Sequence, residues 1–199
     1  KSTILRTNER QFLKKYKPWG IILFSRNIKS IDQTKKLTDD IRKIFKDKMY
    51  PILIDQEGGR VDRLTNLIDS SNFTGEFFGK LYKKNIKKFN VYCKIFINQT
   101  CYLLDKIGVN INTVPVLDVK RNFTNKVIGN RSFSKNPKII SKIGNLCINN
   151  FHKYGIATVV KHIPGHGRAE VDSHHKLPAV NSDLNELKEN DFYSQIKFI

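Results

Sequence analysis

The sequence has no apolar run approaching the ~20 residues needed to span a bilayer, and no basic stub followed by an apolar segment opens it, although it begins at Lys1 and not at Met. Cysteine is scarce and odd in number: Cys93, Cys101 and Cys147 each fall within apolar helical patterns. That is core usage in a reducing compartment, not a disulfide framework. Acidic residues are few, 18 against 36 Lys and Arg, giving a net charge of +18 that raises nucleic acid as a partner. The distribution argues against it. Lys14, Lys15, Lys35, Lys36, Lys83, Lys84, Lys87, Lys88 and Lys142 are scattered over helical stretches, and no interleaving of arginine with aromatics marks a base-reading surface. A solvated basic exterior is expected, with neither nucleic acid nor a membrane as partner.

What is present suits a globular chain: 39% hydrophobic and 11% aromatic residues, with enough length in 199 residues to bury one core. Thr7, Asn8 and Glu9 read as a helix start, with Phe12, Leu13 and Tyr16 on one face, and Pro18 and Gly20 end it. Ile21–Phe24 is a short continuous apolar run, the pattern of a strand covered on both faces. Ser30 and Gln33 have capping-box spacing ahead of a helix that buries Leu37, Ile41, Ile44 and Phe45. The unit then repeats. Pro51–Ile54 is a second strand ending on Asp55, residues 65–80 are the least regular, and a long helix is expected over roughly 83–107. Val109–Val116 is a third strand ending in Leu117-Asp118; Pro137 opens a helix closed by Gly155, and Ile156–Val160 is a fourth strand.

Strand, loop and helix in repetition specify a parallel α/β protein. Polar residues fall at each strand's C-terminal end: Arg26, Asp55, Asp118, then Lys161 and His162. Chemistry at the end of every strand favours a (β/α)8 TIM-type barrel over a doubly wound sheet, which gathers its ligand at one crevice. A complete barrel takes about 250 residues. Only about four strands are readable here, and residues 183–199 resemble one more amphipathic helix, so the expectation is an incomplete barrel from a longer protein.

The densest chemistry follows the fourth strand. Pro164, Gly165 and Gly167 forbid regular continuation, so residues 161–175 form a shaped loop carrying His162, His166, His174 and His175 beside Lys161, Arg168, Glu170 and Asp172.

Five segments then support a resemblance. They are Trp19–Asn27, Ile54–Arg63 with its Asp-Gln-Glu-Gly-Gly-Arg core, Pro115–Val119, Ile128–Phe133, and Lys161–Gly167 followed by Asp172-Ser173-His174. In order and spacing they resemble the bacterial β-N-acetylhexosaminidases of glycoside hydrolase family three, across nearly all of residues 1–199 as part of the family's N-terminal barrel domain. The resemblance implies hydrolysis of terminal non-reducing N-acetylglucosamine from peptidoglycan-derived sugars of the N-acetylglucosaminyl-anhydromuramyl type, by a retaining mechanism, in the cytoplasm, with no cofactor and no metal. It assigns sugar binding to Asp55, Arg63, Arg131, Lys161 and His162. His174 matches the family's acid/base and Asp172 its partner. The family's aspartate nucleophile lies in a later Ser-Asp-Asp segment, and none occurs here, so inactivity of these residues on their own is expected.

The residue types suit the chemistry. An imidazole titrates near neutrality, so it gives a proton to a poor leaving group and takes one back from water. An ionised carboxylate at a rigid strand end grips two hydroxyls, and the arginines suit an anionic substituent. Blander roles stand beside these. Asp55 caps a turn, His162 is a satisfied core histidine, Asp118 holds neighbouring loops, Glu57 supports the Gly58-Gly59 turn, and His166 and His175 are structural or solvent-facing. Two further readings remain: a zinc site from His162, His166, Asp172, His174 and His175, and a relative that binds sugar or a partner without turnover.

Overall fold

The computed structural model describes residues 2–169, 171 and 177–196. Asp172 and His174, read above as the proton-transfer pair, lie outside them, as do Glu170 and His175. The described elements are helix α1 (Thr7–Tyr16), strand β1 (Ile21–Leu23), α2 (Ile31–Phe45), β2 (Ile52–Ile54), α3 (Gly75–Lys84), α4 (Ile86–Lys106), β3 (Ile111–Asn112), α5 (Pro137–Lys153) and β4 (Ala157–Thr158). A final helical run comprises α6 (Leu184–Leu187), a π-helical turn (Lys188–Phe192) and α7 (Tyr193–Ile196).

All strand pairings are parallel and the order is β1-β2-β3-β4, with Ile21 opposite Ile52, Leu53 opposite Ile111, and Ile111 opposite Ala157. Sequential neighbours with no reversal of order are the grammar of a barrel, whereas a doubly wound sheet has a switch point. The fold is therefore α/β, with four parallel strands of the (β/α)8 TIM type. Along β2 the residues alternate: Ile52 and Ile54 are fully buried in the main core with Phe89, Ile97 and Leu104 of α4, while Leu53 is half-buried. A strand has period two, so Asp55 continues the side of Leu53, away from that helix layer.

β3 and β4 are shorter than expected from their apolar runs. Their pairing resumes further on, where Val116 bridges Lys161, Lys161 N donates to Pro115 O at 3.2 Å, and Leu117 N donates to Lys161 O at 2.6 Å. On the other edge of β3, the ladder to β2 is continued by a side chain. Asn112, with no exposure, accepts from Gln56 N and donates to Gln56 O, both at 3.0 Å, so its amide stands in for a strand beyond the end of β2. That keeps residues 55–57 extended.

The helices correct the sequence reading in two places. The long helix expected over roughly 83–107 is α4, with its start moved to Ile86 because Asn85 sits in extended conformation, closing α3 and capping α4 by accepting from Lys88 N at 2.9 Å. The supposedly irregular stretch also contains α3, capped by Thr74, whose hydroxyl accepts from Phe77 N at 3.0 Å. Gly75 and Gly79 are poor helix formers that disguise it. Their reason is tertiary: a Cβ at Gly75 would lie 2.0 Å from Arg131 O, and one at Gly79 would lie 1.6 Å from Phe133 O. In α1, Leu13 is buried as expected, but Phe12 and Tyr16 pack on each other outside in a tilted arrangement, with ring centroids 4.7 Å apart.

The Gly79 contact makes a signed prediction. Alanine would gain about 1 kcal/mol of helix propensity. Forcing a methyl into a backbone carbonyl costs about 1–3 kcal/mol or more, and the overlap here is severe. Gly79→Ala is expected to be a net loss, lowering Tm by roughly 2–4 °C per kcal/mol in a chain of this size. An unchanged or raised Tm in a thermal melt would show that α3 does not seat on residues 131–133.

Candidate active site

Asp55 follows β2, Thr113 follows β3 and Lys161 follows β4, so three adjacent strands deliver polar side chains to one end of the sheet. A cleft of about 490 Å³ opens there, and its lining includes Asp55, Arg63, Arg131, Lys161 and His162, all five residues singled out above for sugar binding. Glu57 and Thr113 line it too. Val61, Val127 and Val159 give it an apolar margin.

Charge of alternating sign runs across its floor. Arg63 Nη2 lies 3.7 Å from Asp55 Oδ2, beyond hydrogen-bond length. Lys161 Nζ donates to Asp55 Oδ1 at 3.0 Å and stands 2.6 Å from Glu57 Oε1. Glu57 is then gripped in fork geometry by Arg131, with Nε on Oε2 and Nη2 on Oε1, both at 2.8 Å. Thr113 donates its hydroxyl to Asp55 Oδ1 and accepts from Lys161 Nζ at 3.0 Å. Each ammonium proton of Lys161 thus has an acceptor, making it the link between the two carboxylates. Asp55 Oδ2 accepts no hydrogen bond among the described residues, and two of the five N–H bonds of Arg131 remain after Glu57 and Val127 O take three.

Glu57 was read from sequence as a support for the glycine turn, and the structure makes it more than that. It does sit on that turn: its N–H donates to Val61 O at 3.0 Å, with Gly58 at φ +86° and Gly59 at φ +62°. Gly58 has no room for a side chain, since a Cβ would meet Phe73 O at 2.4 Å. The carboxylate nevertheless points into the cleft, because residues two apart on extended chain share a side. That spacing from Asp55 was the available signal. Gln56, facing the other way and almost fully buried, anchors the loop instead. Its amide donates to Asp62 at 3.0 Å and Ser70 at 3.1 Å, and accepts from Arg63 N at 2.8 Å, fixing where Arg63 starts.

His162 is oriented from behind. Its Nδ1 is 2.5 Å from Oδ2 of Asp118, which is wholly buried and also accepts from His166 N at 2.6 Å. An ionised carboxylate only accepts, so Nδ1 carries the hydrogen and Nε2 is left for the cleft. Asp118 thus holds loops together and sets the imidazole, while Gln195 Nε2 donates to His162 O at 3.1 Å. The His166 ring lies 5.9 Å from that of His162. Sequence reasoning gave Arg168 no role; it is buried and ties the loop to the C-terminal run through Asp191 at 2.5 Å and Glu186 at 2.8 Å. Arg26, expected at the strand-end face, is exposed and packs over the Phe24 ring at 4.5 Å. Of the five residues proposed above for zinc, only His162 and His166 are described, and no metal-ligating group of three occurs among the described residues.

Burial raises the pKa of Asp55, but the Thr113 hydroxyl, Lys161 and Arg63 outweigh it and hold the carboxyl below its usual range. Glu57 behaves alike: burial pushes it up, while Arg131 and Lys161 bring it lower than normal. Depressed folded-state values mean stability that is fully present above the unfolded pKa values, about 3.9 and 4.3. It is lost as pH falls through the folded values. The urea midpoint is therefore expected to be flat near neutrality and to fall below about pH 4.5, with a shallower acid limb in Glu57→Gln. Equal acid limbs in the two proteins would show that Glu57 is not held ionised by its neighbours.

The sequence pattern described as "Glycosyl hydrolase family 3 N terminal domain" matches residues 3–198. A beta-hexosaminidase A from Pseudoalteromonas piscicida is 34% identical over 194 residues, covering 95% of this chain and 32% of that protein. A beta-hexosaminidase from Hydrogenovibrio crunogenus is 32% identical over 199 residues, 100% of this chain and 55% of its own length. Among solved structures, native NagZ from Neisseria gonorrhoeae superposes with a TM-score of 0.86 at 30% identity, over 97% of this chain and 56% of that one. NagZ from the same organism, solved in complex with N-trifluoroacetyl-D-glucosamine, gives 0.85 at 31% identity, again over 97% and 56%. The chain spans between about a third and about half of the length of these curated relatives. By its motifs, its parallel sheet and a pattern match from residue 3 to residue 198, this chain belongs to glycosyl hydrolase family 3.

Proposed function

We propose that this chain forms the N-terminal half of a β-N-acetylhexosaminidase that removes terminal non-reducing N-acetylglucosamine from peptidoglycan-derived glycosides in the cytoplasm. The observation that carries the reading is the meeting of Asp55, Arg63, Arg131, Lys161 and His162, drawn from three separate sequence segments, in one cleft. NagZ from Neisseria gonorrhoeae, of which this chain covers 56%, was solved with an N-acylated glucosamine and supports it.

Each group has a task that its surroundings permit. Asp55 is kept ionised, and its Oδ2 accepts from two sugar hydroxyls. Arg63 and the spare N–H bonds of Arg131 donate to the ring, its acyl oxygen or an anionic neighbour of muramyl type. His162, with Nδ1 committed to Asp118, offers Nε2 to a further hydroxyl. The valine margin suits the apolar face of a sugar. His174, helped by Asp172, protonates the departing oxygen and then deprotonates the attacking water. A retaining mechanism also needs a nucleophile on the opposite side of the anomeric carbon. None of the 199 residues stands in a Ser-Asp-Asp segment, so this part of the molecule supplies recognition and proton transfer but not the covalent step.

Two outcomes test the reading. Titration of N-acetylglucosamine into the chain is expected to show saturable binding, weakened about 10- to 100-fold by Asp55→Ala, as for loss of hydrogen bonds to a charged group. Binding that Asp55→Ala leaves intact would move the sugar site elsewhere. A chromogenic β-N-acetylglucosaminide is expected to release no chromophore with the chain alone, and turnover would overturn the claim that a required group is lacking.

A further inference from the structure

We infer that Glu57 is a positioning residue for sugar binding: its carboxylate sets Arg131 and Lys161, and without it both cations turn onto Asp55. The inference rests on the proposed sugar site and gives Glu57 a role that neither the motif roles nor the blander reading gave it.

The argument starts from what surrounds Glu57. Its side chain is only 6% exposed, and its two oxygens take three bonds, two from Arg131 and one from Lys161. Glu57 and Arg131 also border a second, narrow crevice of about 40 Å³ whose walls include Phe78, Cys93, Phe96, Ile143 and Phe151. The ion pair is therefore a partition, with the polar cleft on one side and apolar side chains on the other. A guanidinium on such a partition cannot retreat into the crevice, because an unpaired charge there is strongly penalised. If Glu57 is neutralised, the carboxylates left near Arg131 are Asp118, whose two oxygens are already engaged by His162 and by His166 N, and Asp55, which faces the polar cleft. Lys161 is affected as well. It bridges Asp55 at 3.0 Å and Glu57 at 2.6 Å, and losing the second shifts its whole charge to the first. Asp55 would then be saturated by protein cations, and Oδ2, the acceptor free for hydroxyls, would be consumed. Glu57 touches no sugar in this account. It acts through the groups that do.

Glu57→Gln preserves shape and removes charge, so it is the variant to titrate with N-acetylglucosamine, with the full chain as it stands. Affinity is expected to fall about 10- to 100-fold, the range for losing charge-assisted contacts. Glu57→Asp, which keeps the charge, is expected to recover part of the loss. Arg131→Met should weaken binding too, and Glu57→Gln/Arg131→Met should lose much less than the product of the two single losses, since one residue acts through the other. A residue that merely stabilised the fold would give multiplying losses and no rescue by aspartate. Either multiplying losses or a Glu57→Gln protein that binds sugar like the parent overturns the inference while leaving the sugar site standing. No binding by the parent itself would instead remove the sugar site, and this inference with it. If Glu57→Gln fails to fold, Arg131→Lys decides. It keeps the charge but not the two-point grip, so a loss of about tenfold supports the inference and full affinity refutes it.

Discussion

Everything in the cleft depends on how the chain leaves β2. Because residues 55–57 stay extended after the strand ladder has ended, Asp55 and Glu57 fall on one side and Gln56 on the other. The polar cleft and the buried loop anchor are thus consecutive residues of one short stretch. A helical or coiled exit would have scattered them. The extension is imposed by Asn112 on the neighbouring strand, whose amide supplies the acceptor and donor that a longer β3 would have offered.

Electrostatics then builds on that placement. The protein is strongly basic, yet its cleft is organised by two carboxylates with three cations arranged around them. Each carboxylate meets at least one cation, and Lys161 meets both. In partly desolvated surroundings neither sign could persist alone. The local balance is what allows Arg63 and Arg131 to remain charged near a neutral sugar without collapsing onto each other's partners. Surplus lysines elsewhere lie on helix exteriors and exposed loops, where solvent and salt screen them.

The parallel α/β architecture and the strand-end positions of Asp55 and Lys161 were legible because continuous apolar runs ending in polar residues are a local pattern. Arg63 and Arg131 were named only through matching segments, since nothing local distinguishes a binding arginine from a surface one. Three features escaped for non-local reasons. Thr113 looks like any strand-end threonine until its hydroxyl is found between Asp55 and Lys161. α3 was hidden by glycines whose purpose lies in residues 131–133. Arg168 was masked by a loop rich in more conspicuous histidines, and its meaning resides in Asp191, some twenty positions later. Glu57 is the intermediate case, since period-two alternation from Asp55 was enough to aim it at the cleft, and the adjacent Gly-Gly drew attention away.

The amide of Asn112 is asked for a donor and an acceptor at once, at fixed separation, in a place closed to water. Aspartate would set two acceptors against the Gln56 carbonyl, glutamine would overshoot by a methylene, and leucine would strand both backbone groups. Other asparagines also make specific bonds, as Asn85 caps α4 and Asn110 accepts from Ile52 N, but Asn112 does so with no exposure at all, so replacing it would unbind the exit from β2 without touching substrate.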